Sequence, residues 1–209
     1  MNFLLAISRL IDALNERIGR TVLWLTLIVV LVSAANAVSR KAFHMSSNAW
    51  LELQWYLFGA IFLLAAGYTY LRNEHVRVDV LAARFPARVQ AGIEVFGILF
   101  FLLPAAALIF WLSIPYFYES WRLQELSSNT GGLIRWPAKL LIPVGFGLLI
   151  LSGVSRLIRC IAFLMGKGPN PMVVAQIKTA EEELAEEIQR QQEARANSVN
   201  GSNGKAQGR

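Results

Sequence analysis

The chain has 209 residues, of which 55% are hydrophobic, and a formal net charge of +6. With a mean hydropathy of +0.45 it is too apolar for a soluble domain of this length. Its arginines gather at the ends of apolar stretches, which suits a membrane orientation signal better than a nucleic-acid footprint. The single cysteine, Cys160, excludes an intramolecular disulfide and a cysteine metal cluster.

Residues 3–18 place Phe3, Ile7, Leu10, Leu14 and Ile18 at helical spacing, with Arg9, Asp12, Glu16 and Arg17 mostly elsewhere on the wheel. This predicts an amphipathic helix over residues 1–20, either lying in the membrane interface or packed on partner protein. Four apolar stretches follow at about 21–38, 49–71, 89–111 and 137–154. A bilayer crossing takes about 20 apolar residues, so each is long enough, the first and last only just. Arg17 and Arg20 before an apolar run, with Ala35-Asn36-Ala37 after it, have the form of a secretion signal. The length of the positive region and its Asp12 and Glu16 predict instead an uncleaved first span.

The loop at 39–48 is short, so the first two spans form an antiparallel hairpin, with Ser46, Ser47 or Asn48 available to cap the second helix. The loop at 72–88 mixes charges with Val76, Val78, Val80, Leu81 and Phe85 and reads as a second interfacial segment, with Asp79 as a cap. In the loop at 112–136 the aromatics and residues 119–126 extend the third helix beyond the bilayer, until residues 127–132 break it. Pro104 and Pro143 fall inside spans and are read as packing features. After residues 166–171 the composition turns charged. The expected organisation is therefore an interfacial helix at 1–20, a four-span membrane domain at 21–165, and a charged helical and disordered tail at 166–209.

Lysine and arginine counts set the expected orientation. Arg9, Arg17, Arg20, Arg72, Arg77, Arg84, Arg88, Arg156, Arg159 and Lys167 fall on one side, and Arg40, Lys41, Arg122, Arg135 and Lys139 on the other. The richer side is expected to be cytoplasmic, giving both termini inside. The fold class predicted is all-α integral membrane, with four transmembrane helices and amphipathic interfacial helices.

Chemistry has little to work with. Asn36, Glu52, Gln54 and Glu94 interrupt the spans, all near their ends. The two histidines, His44 and His75, lie in loops on opposite sides, which excludes a haem held by paired histidines. No Walker loop, dinucleotide fingerprint or nucleophile elbow is present. Neither enzyme activity nor a cofactor is expected. Glu52 is the strongest functional candidate on physical grounds: paired with Arg40 or Lys41 it would tie the first hairpin, and alternatively it would serve as a proton or ion site. Glu94 is expected to pair with Arg88 or Arg84, or to snorkel.

Several segments together resemble the small membrane subunit, the DctQ-like component, of tripartite ATP-independent periplasmic (TRAP) transporters. They are the run Glu74-His75-Val76-Arg77-Val78-Asp79 with Leu81 and Phe85-Pro86, the polar positions Asn36, Arg40, Trp50 and Glu52, and the run from Gly132 through Arg135-Trp136-Pro137 to Lys139. The resemblance covers roughly residues 10–165. It implies a bacterial inner-membrane complex with a large multi-span carrier subunit, where sodium coupling would reside, and a periplasmic substrate-binding protein delivering an organic acid. The small subunit would be a scaffold. By the same resemblance Asn36, Arg40, Trp50 and Glu52 would organise one end of the first hairpin. His75, Arg77 and Asp79 would order the opposite loop against membrane lipids or the large subunit. The rival readings are an autonomous small transporter or channel, and a membrane assembly adaptor acting through the tail.

Overall fold

In hydrocarbon every backbone N–H and C=O needs a partner within its own segment, so apolar stretches of this length become helices. The computed structural model describes residues 2–43, 47–72 and 85–169. It contains four long helices: α1 (Asn2–Ala42), α2 (Asn48–Arg72), α3 (Ala87–Arg122) and α4 (Trp136–Leu164). Each contains one of the apolar stretches seen in the sequence, and all four are long and apolar enough to cross a membrane.

The helices run further than the apolar stretches. At 1.5 Å per residue α1 is about 62 Å long, roughly twice the hydrocarbon thickness. The amphipathic segment at its start is therefore no separate element: it is the first turns of one unbroken helix whose polar residues face other helices. α3 likewise continues past residue 111 to Arg122, as its aromatic extension suggested.

α4 is the centre of the bundle. It packs against α1, α2 and α3, whereas α1 packs on α2 and α3 rests on α4. Of its most apolar window 39% is buried, against 11% for each of the others. Small residues make this possible, as they do wherever membrane helices cross closely. Gly145, Ser152, Gly153 and Ser155 are all buried along it. A Cβ on Gly145 would sit 2.7 Å from the Leu63 backbone oxygen of α2, and a Cβ on Gly67 would overlap Asn15 Oδ1 of α1.

The prolines are absorbed by the helices. Ahead of Pro104, residues Ile98–Leu102 widen into a π turn in which the Leu103 N–H reaches Ile98 O. Pro143 is buried within α4, in keeping with a packing role.

Candidate functional site

The even number of antiparallel helices gives the bundle two distinct ends. A loop end carries the α1–α2 turn and the 123–135 loop, and a terminal end carries the start of α1 and the close of α4. Polar side chains concentrate at both.

At the loop end, α3 closes in a Schellman-type turn. Gln124 adopts φ 47°, the Glu125 N–H bonds Ser120 O at 3.1 Å, and the Gln124 N–H bonds Trp121 O at 3.3 Å. The chain then doubles back. Leu126 and Ile134 form an isolated antiparallel bridge, Ser127 N–H bonds Leu133 O at 3.0 Å, and Arg135 N–H bonds Glu125 O at 2.8 Å. Between them the turn 129–132 closes through the Gly132 N–H to Asn129 O at 3.0 Å, with Gly131 supplying the positive φ of 72° that such a turn needs.

This turn wraps the Glu52 carboxylate. Oε1 accepts hydrogen bonds from the Ser127 hydroxyl and, at 2.8 Å, from the Asn129 amide; Oε2 accepts from the Leu133 N–H at 2.7 Å. Glu52 is buried, with 4% of its surface exposed. Asn48 adds a second tie by donating to Thr130 O at 3.0 Å, so its side chain anchors the loop. The expected pairing of Glu52 with Arg40 or Lys41 is thus corrected: both carboxylate oxygens are filled from a loop about 80 residues further along the chain. Behind the turn, Glu125 takes a hydrogen bond from the Lys139 ammonium and a weaker contact from Arg135 Nη1 at 3.5 Å. The Lys139 ammonium holds the Glu125 carboxyl below the usual carboxylate range. It also stands 4.1 Å from the centre of the Tyr116 ring.

The other residues expected at this end are placed as follows. Arg135 also donates to Ser128 Oγ at 3.2 Å. Trp136 meets Phe117 edge to face, with ring centres 6.5 Å apart. Pro137 occupies the first turn of α4, where a missing N–H costs little. Trp50 is exposed. Asn36, Arg40 and Lys41 line a groove between α1 and α2 together with Gln54. His75, Arg77 and Asp79 lie outside the described residues, as does residue 170 onward of the tail.

At the terminal end the ties are between helices. Arg156 of α4 donates through Nε to Glu94 of α3 at 2.8 Å and through Nη2 at 3.4 Å. Their side chains are only 2% and 9% exposed. A cation from the central helix thus reaches Glu94, as a charge this far from water needs a counter-charge, while Arg84, one of its expected partners, lies outside the described residues. Ser8 and Ser155 share a hydroxyl hydrogen bond at 2.7 Å, the Ser155 hydroxyl also bonds Asp12, and Asp12 pairs with Arg159 at 3.3 Å. Glu16 of α1 pairs with Arg72 of α2, and Ser152 of α4 donates to Gly67 O at 3.0 Å. Cys160 is fully buried.

These networks hold helices and a loop together; among the described residues no group of three or more His, Cys, Asp or Glu could hold a metal ion. The family model described as "Tripartite ATP-independent periplasmic transporters, DctQ component" matches residues 28–163. The chain belongs to the DctQ family. No curated protein and no solved structure matches it. The matched region of this DctQ chain runs from within α1 to the last turn of α4, and so contains the Glu52 clasp, the groove and the Glu94–Arg156 pair. It is a transporter component carrying four helices long and apolar enough to span a membrane.

Sequence reasoning found Glu52, but missed its partners Ser127, Asn129 and Leu133 and the pairing of Glu94 with Arg156. One signal was available. Gly145, Leu148, Ser152 and Ser155 recur at spacings of three and four, which marks a close-packing face.

Proposed function

We propose that this DctQ chain is the fixed scaffold of its TRAP transporter. It braces the large multi-span carrier subunit while that subunit moves an organic acid, delivered by a periplasmic substrate-binding protein, with sodium. Coupling ions bind to the carrier; this chain uses no cofactor and catalyses no reaction. It resides in the bacterial inner membrane with both termini in the cytoplasm, as its lysine and arginine distribution favours.

The observation that carries this reading is the arrangement of the polar groups. The most buried ion pairs and side-chain hydrogen bonds at both ends join one helix to another or pin a loop to a helix, with α4 taking part at the terminal end and beginning directly after the clasp. Buried polar groups spent on such locks make a body that keeps its shape. A carrier, by contrast, requires broken helices and polar groups near the membrane midplane. Reconstitution tests the proposal. Proteoliposomes holding the large subunit with this chain, supplied with loaded binding protein, are expected to take up substrate, and those lacking the chain are not. Uptake at full rate by the large subunit without it would overturn the scaffold assignment.

A further inference from the structure

The capture of Glu52 by the 123–135 loop has a consequence on the opposite side of α2. Arg40 and Lys41, the two cations at the close of α1, are left without that carboxylate, and neither makes an ion pair or side-chain hydrogen bond among the described residues. They stand at the rim of an open groove of about 570 Å³ between α1 and α2. One helical turn deeper, about 6 Å along the axis, the groove is lined by Asn36 and, from α2, by Gln54. Asn36 is 9% exposed, and its amide makes no side-chain hydrogen bond among the described residues. Deeper still is Ser33, and with Ala37 it leaves the α1 wall without bulk.

We infer that this groove binds one anionic phospholipid, its phosphate held by Arg40 and Lys41 and its glycerol-ester carbonyls by the Asn36 and Gln54 amides. The order of groups along α1 matches the order along such a lipid. Two cations lie where the apolar stretch ends, at headgroup depth; amide donors follow one turn inside; small side chains make room for an acyl chain beyond. A buried amide facing hydrocarbon carries a desolvation cost unless a partner arrives, and an ester carbonyl is an acceptor available at that depth. An acidic segment of a partner protein would satisfy the cations, but would leave the amides a turn below it. The inference stands independently of the scaffold assignment, since it needs only that the helices cross a bilayer.

Native mass spectrometry of the purified full-length chain, titrated in detergent with phosphatidylglycerol or phosphatidylcholine, tests it. One phosphatidylglycerol is expected to be retained more tightly than phosphatidylcholine. At about 1 kcal/mol per cation, each of R40Q and K41Q should weaken retention about five-fold, and the double variant about twenty-five-fold. Asn36→Leu should weaken both lipids alike, with helicity by circular dichroism unchanged. Equal retention of the two lipids, or of phosphatidylglycerol by wild type and the R40Q/K41Q double variant, would overturn the inference. So would full displacement by soluble glycerol phosphate, which would mean the acyl chain contributes nothing. A photo-reactive residue at Ser33 that cross-links in membranes to an acidic polypeptide rather than to lipid would overturn it as well.

Discussion

Glu52 and Glu94, whose side chains are largely shielded from water, are stabilised in opposite ways. Glu52, at the loop end, is held by three neutral donors from a single turn, with the cations Arg135 and Lys139 engaged by Glu125 behind it. Glu94, at the terminal end, has a cation directly against it in Arg156, itself only 2% exposed. A loop can be shaped to aim its N–H and hydroxyl groups at a carboxylate, and the loop end has one available. Between two helices deep in the bundle no free backbone donor exists, because each is spent on its own helix, so only a charged side chain can answer a charge. The clasp therefore fixes a loop on α2, while the ion pair fixes α3 on α4.

Removing one member of each site should separate the two most strongly. Glu94→Gln removes the Glu94 charge from beside the buried Arg156 guanidinium, and a loss of about 3 kcal/mol is expected. Joint replacement by Glu94→Gln and Arg156→Leu should recover a large part of it. Thermal unfolding in detergent, run as a double-mutant cycle, measures this; additive losses would mean the pair is not coupled. Glu52→Gln should cost less, about 1–3 kcal/mol, because one amide group then presents hydrogens to donors while the other contacts survive. Its signature is local: proteolysis within the 123–135 loop should speed up while the contacts of α3 with α4 persist.

These differences explain what the sequence made legible. Hydropathy located all four spans, because the period and length of apolar stretches are local properties. Helix ends were not local. Asp12 and Glu16 read as the polar side of an amphipathic interfacial helix, yet Asp12 meets Arg159 and Ser155, and Glu16 meets Arg72. Glu52 stood out because a carboxylate near hydrocarbon is costly. Its partners did not stand out, because Arg40 and Lys41 were nearer in the chain than the neutral donors Ser127, Asn129 and Leu133 that the fold delivers. For Glu94, likewise, proximity in the chain pointed to Arg88 and Arg84 and gave no hint of Arg156, 62 residues away. In both cases spatial neighbours came from elements far apart in sequence, through the central position of α4.

The smallest expected effect concerns pH. Glu125 has a folded-state value below its ordinary 4.5, chiefly through the Lys139 hydrogen bond. The ionised form therefore favours the folded loop. Its contribution is fully present above about pH 4.5 and is lost as pH falls from there through the lower folded-state value. Lys139→Gln should flatten the dependence of stability on pH across that acidic window and leave the slope near neutrality unchanged. Melting curves from pH 6 downward would check this; an identical acid slope in the variant would break the link between Glu125 and the loop end.

The central claim, that this chain holds its shape while its partner moves, can be met by cross-linking. The Ser8 and Ser155 hydroxyls lie 2.7 Å apart, joining α1 to the central helix. Cysteines there, in a Cys160→Ser background, can be oxidised and reduced in the assembled transporter. Substrate uptake into proteoliposomes is predicted to be the same in both states. Uptake that falls on oxidation and returns on reduction would contradict the account, because it would mean that α1 and α4 must move apart for transport to occur.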